Sequence, residues 1–300
     1  MDSIKAILYF SVFKYPLKLE EIHSYTCHTN LNQTQDELDQ LMAQKVISNV
    51  DGFYVYGTDF DCIAKRIKGN EQAQKVMLIA KERASFISKF PFVKGVGVSG
   101  SLSKGYYDNE SDIDFFVITQ QSKLWICRTL LMFYKKAFLL NSRKFFCINY
   151  FVSENQMEIE EQNIFTATEI KTLIPLEGKL EFEKFYQQNN WVSSFFPNFE
   201  PHTHATQSTQ KSRLSKGIEG LFNSKIGLSL DALLKSMTLK KWNSKFHYLS
   251  EDEFKVALKT STNISKHHPS NFQKKVIDAL NAKIEEVRSN HSIQIPKEDV

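Results

Sequence analysis

The chain has few cysteines, no long apolar run and little charge of either sign in excess, and each shortage excludes something. Its four cysteines, Cys27, Cys62, Cys127 and Cys147, are widely spaced and form no Cys-x-x-Cys pair. That argues against a zinc knuckle and a disulfide framework, and it fits reduced thiols in a cytoplasmic protein. The first residues, Met1-Asp2-Ser3-Ile4-Lys5, lack the basic stretch and small-residue cleavage site of a signal peptide. The most apolar stretch, Leu124 to Leu140, is broken by Arg128, Lys135 and Lys136, so it is no membrane span. A soluble protein with no membrane partner is expected. The formal charge of +4 is small for 300 residues and gives no footprint of a nucleic acid by itself. Internal repeats and low-complexity tracts are also missing.

What is present suits a folded protein. Hydrophobic residues make up 42% of the chain and phenylalanine alone occurs 24 times, enough for two or three compact units. Residues 1–60 read as three short helices and a hairpin. Ile4, Ile7 and Leu8 recur at helical spacing, and Tyr15-Pro16 stops the first helix, because a residue before proline avoids the α region. Leu19 to Tyr25 and Thr34 to Lys45 suit two more helices. Asp51-Gly52 then separates two β-prone runs, a strong hairpin signal.

That order resembles a winged helix-turn-helix module. In a DNA-binding member the third helix would enter the major groove. Here its polar face carries Gln33, Gln35, Asp36, Asp39, Gln40 and Gln44, with only Lys45 basic. Phosphate contacts need Lys or Arg, so a protein-docking or packing role for residues 1–60 is favoured over a DNA-binding regulator.

Residues 61–90 read as a connecting helix. From Pro91 the period changes: strands are expected over Val93–Val98, Asp114–Thr119 and Lys144–Val152, with a helix over Ser122–Leu140. Residues 91–160 therefore form a mixed α/β core, and 161–300 a mostly helical C-terminal region. The fold class is α+β, with a mixed β-sheet.

The chemistry concentrates at Gly95-Val-Gly-Val-Ser-Gly-Ser-Leu-Ser-Lys-Gly-Tyr-Tyr-Asp-Asn-Glu-Ser-Asp-Ile-Asp-Phe-Phe-Val-Ile118. Asp112 and Asp114 stand two apart at the head of an apolar strand, so their carboxylates share a face and offer hard oxygens to Mg²⁺. A pair of metal ions there would serve both oxygens of a phosphoryl transfer. Upstream, a strand runs into Gly100-Ser101, where glycine lets backbone approach an anion; the Ser101 and Ser103 hydroxyls and Lys104 are candidate phosphate contacts.

Gly-Ser, a short spacer and Asp-x-Asp opening an apolar strand resemble the signature of the DNA polymerase β-like nucleotidyltransferases. This superfamily includes aminoglycoside nucleotidyltransferases, poly(A) polymerases and minimal nucleotidyltransferases. The resemblance covers about 92–152. It implies that Gly100 and Ser101 hold a nucleoside triphosphate, that Asp112 and Asp114 bind Mg²⁺, and that a nucleoside monophosphate passes to a hydroxyl on a small molecule, protein or RNA. Members commonly carry a third acid on a later strand. The matching position here is Asn149, whose amide cannot act as a general base; Glu154 and Glu158 lie just beyond. Asn149 keeps a second function in view, a nucleotide-sensing or assembly protein with a degenerate core.

Three other patterns carry less. Gly95-x-Gly97-x-x-Gly100 matches a dinucleotide fingerprint, but its glycines interrupt a strand instead of following it. His202-x-His204 falls in a polar stretch with no neighbouring acid cluster. Lys211 to Lys245 is distinctly basic, a candidate surface for RNA or another anionic acceptor that more simply reads as a solvated helical face.

Overall fold

The computed structural model describes residues 2–142, 144–202 and 210–299. The chain opens with α1 (Ser3–Ser11), α2 (Leu19–Ser24) and α3 (Leu31–Ala43), followed by β1 (Ile47–Val50) and β2 (Phe53–Tyr56). Asn30 caps α3 by accepting from the Gln33 amide. Asp51 and Gly52 both take positive φ, 51° and 80°, the pairing a two-residue hairpin turn requires. Nearly every residue of α1 is buried, because it packs against α3 on one side and a C-terminal helix on another.

One helix, α4 (Asp61–Ser88), carries the chain from this unit to the centre. Its first turns pack Cys62 and Ile63 against the hairpin's Phe53 and Val55. Arg66 locks the joint. Its guanidinium donates to the Pro16 carbonyl and the Glu21 carboxylate and lies over the Tyr15 and Phe53 rings at 4.2 and 4.9 Å.

The centre contains β3 (Val93–Ser99), α5 (Gly100–Ser103), β4 (Asp114–Thr119), α6 (Leu124–Phe138), β5 (Cys147–Ser153), α7 (Ile164–Thr172), β6 (Ile174–Glu177), α8 (Lys179–Gln188) and α9 (Val192–Phe195). After it come α10 (Arg213–Phe222), α11 (Lys225–Lys245), α12 (Glu251–Ala257), β7 (Ile264–Lys266) and α13 (Phe272–His291). The strands form one mixed sheet in the order β6-β3-β4-β5-β7. Only β4 and β5 are parallel, and α6 makes the crossover that a parallel pair needs. The region expected to be mainly helical thus contributes two short strands, β6 and β7, which complete the sheet on both sides. Both have antiparallel partners, so a short segment returning from a helix suffices.

Alternation along β4 divides the interior. Phe115 and Val117 point into a core shared with α4 and α6, whereas Phe116 and Ile118 point into a core shared with α1, α7, α8 and α13. The second core also holds Ile4, Leu8 and Leu38, so the N-terminal unit is packed into the rest of the molecule. Gly95 and Gly97 lie inside β3; a Cβ built on them would come within 3.1 and 3.0 Å of the Phe182 ring. These glycines make room for an aromatic side chain, and that explains the formal dinucleotide pattern. No helix among the described residues is long and apolar enough to cross a membrane.

The start of α6 is capped from a distance. Asp231 of α11 is 3% exposed, and its Oδ1 accepts from the Trp125 and Ile126 amides at 2.8 and 2.9 Å. Burial pushes its carboxyl upward, and the two amide bonds oppose that rise. Asp231→Ala would leave two buried donors unsatisfied, with an expected loss of about 2–4 kcal/mol. Urea unfolding of the variant checks this, and Asp231→Asn should recover part of the loss.

Candidate active site

The register of β3 and β4 sets Ser99 opposite Asp114. The chain leaves β3 there and turns at Gly100 with φ 71°, a conformation that disfavours side chains. A Cβ on Gly100 would stand 2.6 Å from Asp114 Oδ2. Glycine is therefore required twice, once for the turn and once for the carboxylate pressed against it.

On the other strand, Ile113 is fully buried and continues the parallel pairing: its amide donates to the Lys144 carbonyl and its carbonyl accepts from the Cys147 amide. With Ile113 anchored in the α4–α6 core, period-two alternation puts Asp112 and Asp114 on the opposite face. Asp114 keeps part of its surface accessible, yet the protein packed around its carboxyl strips it of water and pushes it up to about 6; the Cys147 thiol bond opposes the rise, and the charges of Asp112 and Glu169 add to it. Burial, together with Asp114, drives the Cys147 thiol up to about 12, so it stays protonated as a donor.

Asn149 joins the same group. Its Nδ2 donates to Asp114 Oδ1 at 2.8 Å, and its own Oδ1 is buried without a partner. Its main-chain carbonyl accepts from the His267 amide at 2.8 Å. The amide thus orients the aspartate and leaves one hard oxygen unspent.

The phosphate-contact candidates behave differently from one another. Ser101 is partly exposed, whereas the Ser103 hydroxyl is turned back onto the Gly100 carbonyl at 2.9 Å. The Lys104 ammonium sits 2.7 Å from Glu169 Oε1 and 3.1 Å from the Gly100 carbonyl. It is held in an ion pair that a phosphate would have to displace. The loop beyond is anchored by Tyr15, which donates to the Lys104 carbonyl at 2.9 Å, and by Asn70, which donates to the Gly105 carbonyl.

Glu169 escaped the sequence reading. It lies on α7, far along the chain from the aspartates, in a stretch without a motif. Glu154, weighed for the third acid, accepts from Gln121 and stands beside Thr119, at the opposite end of β4 from Asp114. Glu158 accepts from Gln162 at 3.4 Å in an exposed pairing. Among the described residues no group of three or more His, Cys, Asp or Glu is arranged to hold a metal ion. His202 lines a cavity of about 300 Å³ with Lys179, Phe182 and Tyr186, and His204 lies outside the described residues. A second cavity, about 410 Å³, is lined by Glu160, Phe254 and Lys259. Neither includes Asp112 or Asp114.

Residues 79–185 match the family model described as a nucleotidyltransferase domain. The match begins in α4, passes through the Gly100 turn and both aspartates, and ends in α8. The centre of this chain is a nucleotidyltransferase domain of the polymerase β-like superfamily. No curated protein and no solved structure matches the chain. In the nucleotidyltransferase domain, the Gly100 turn and Asp114 supply the two halves of the signature. Cys147 and Asn149 of β5 and Glu169 of α7 complete its immediate surroundings.

Burying Asp114 costs the metal-free protein stability. Its folded pKa lies above the unfolded value, so the penalty is full above about pH 6 and disappears as pH falls toward about 4. Asp114→Asn should stabilise the metal-free protein by about 2–3 kcal/mol at pH 7 to 8, with the gap between variant and parent closing by about pH 4. Chemical denaturation in chelator across that range measures it. Gly100→Ala should act oppositely and destabilise at every pH, since both turn and carboxylate must move.

Proposed function

We propose that the nucleotidyltransferase domain moves a nucleoside monophosphate from an NTP to a hydroxyl acceptor and releases pyrophosphate. The observation that carries this is the contact of the Asp114 carboxylate with the bare backbone of Gly100. It places an anionic, oxygen-rich group beside a turn without a side chain, where a triphosphate could approach.

The donor set fits Mg²⁺. That ion prefers oxygen ligands and is commonly held by one or two carboxylates plus substrate phosphates, so Asp112 and Asp114 suffice without a larger protein cage. Asp112 and Asp114 would hold it, and the buried free oxygen of Asn149 is a further ligand in reach of the same carboxylate. Bound there, the ion would neutralise charge on the transferring phosphate.

The chain's own residues do the rest. Asn149 and Cys147 fix the orientation of Asp114. Ser101 offers its hydroxyl to a phosphate oxygen. Lys104 exchanges Glu169 for the triphosphate, and the released Glu169 becomes free to accept the acceptor's proton, a task closed to Asn149. Residues 1–60 present the exposed Gln33, Asp36, Asp39 and Gln40 of α3 to a protein partner. That face offers a DNA phosphate a single cation, Lys45. The expected setting is cytoplasmic.

A second function, nucleotide binding without transfer, is favoured by one feature: an amide at Asn149 in place of a carboxylate. Incubation with each labelled NTP, Mg²⁺ and cell extract separates the two. Transfer of label to an acceptor is expected from the parent, falling at least about thousandfold in Asp112→Ala/Asp114→Ala. Glu169→Gln should retain nucleotide binding while lowering turnover. Mg²⁺-dependent NTP binding with no pyrophosphate released under any condition would leave only the second function.

A further inference from the structure

The helical hairpin of α10 and α11 is apolar on two sides. One side is used: Ile218, Phe222, Leu230 and Leu234 pack against the core beneath α4 and α6. The other side is bare. On α10, Leu214 and Leu221 follow at i and i+7, exposed by 75% and 66%. On α11, Ile226, Leu233 and Met237 follow at i, i+7 and i+11 and are exposed by 73%, 55% and 59%, so they line one face. A soluble surface rarely carries such a stripe without a use for it.

Charge on this hairpin is of one sign. Arg213, Lys216, Lys225, Lys240, Lys241 and Lys245 are all exposed. The segment 211–249 holds two acids, Glu219 and Asp231, and both are turned inward. Glu219 accepts from the Phe92 amide and Lys211, and Asp231 caps α6. The outward face is therefore cationic and aliphatic together, with no exposed acid.

We propose that this face docks onto an anionic lipid bilayer, with the aliphatic stripe entering the interface and the flanking lysines and arginine meeting acidic headgroups. The sign of the charge excludes a second copy of the same face, which would set cation against cation. Nucleic acid would answer the charge, but the two helices expose no aromatic side chain to stack a base, and a phosphate backbone leaves Leu and Ile uncovered. Neither of the two cavities described above is lined by the stripe. A ridge of aliphatic side chains flanked by Lys and Arg is the pattern of a helix lying in a membrane interface. Docking of this kind requires no spanning segment. It alters the expectation of no membrane partner without touching the absence of a span, and it is independent of the reaction proposed for Asp112 and Asp114.

Co-sedimentation of the full chain with vesicles tests it. Binding is expected to phosphatidylcholine vesicles containing about a third phosphatidylglycerol at about 0.1 M salt, with much weaker binding at about 0.5 M. Vesicles of phosphatidylcholine alone should leave the protein in the supernatant. Lys240→Glu/Lys241→Glu should weaken binding at least about tenfold. Ile226→Ser/Leu233→Ser should weaken it similarly while leaving the circular dichroism and melting of the protein unchanged, because both side chains already face solvent. No binding to the acidic vesicles, or binding that ignores both double substitutions, would overturn the proposal. So would tight binding to an RNA oligonucleotide that the lysine changes abolish and the apolar changes leave intact.

Discussion

The contact between Gly100 and Asp114 is the constraint on which the rest of the site depends. An acidic side chain sits where any side chain on the neighbouring strand's exit would have been, with its Oδ2 2.6 Å from the missing Cβ. Such closeness needs β3 and β4 in one register, a left-handed turn at the end of β3, and Ile113 anchored in the core so that Asp114 faces the other way. A slip of one residue in the pairing would send Asp114 into the apolar side and Phe115 into the site.

Holding a carboxylate there is costly, and the surroundings show how it is stabilised. Burial raises its pKa to about 6, while Asn149 and the Cys147 thiol each present it with a hydrogen. Beyond them the Lys104–Glu169 pair places a cation and another acid around the turn. The N-terminal unit takes part through the loop after the turn, which Tyr15 and Asn70 hold by its carbonyls. Since Arg66 welds that unit to α4, the glycine turn is braced by Tyr15 before the connecting helix and by Asn70 within it.

Much of this was legible beforehand. The strand from Asp114 to Thr119 has the bounds its sequence announces, since four consecutive apolar residues, Phe115 to Ile118, after a polar loop leave little choice. Asp51-Gly52 makes the hairpin that the two β-prone runs around it announce. These features are local: each depends on neighbours in sequence, and propensity or period encodes them. The glycines of β3 were less transparent. Their spacing suggested a nucleotide loop or nothing, and their use, space for Phe182, needed a partner from α8 that no pattern in β3 names.

The order of residues along the chain settles which chemistry is available: glycine before serine and two aspartates at the head of an apolar strand. Most element types are fixed locally as well, because backbone conformation and side-chain alternation are set by neighbours along the chain; β6 and β7, too short to carry a period, are the exceptions. What those groups meet depends on the folded arrangement. It brought Asn149 onto Asp114, turned Ser103 back onto its own helix, tied Lys104 to Glu169, capped α6 with Asp231, and left one side of α10 and α11 bare. Those pairings join residues distant in sequence. They follow from how helices and strands pack against one another, which the local pattern of residues does not specify.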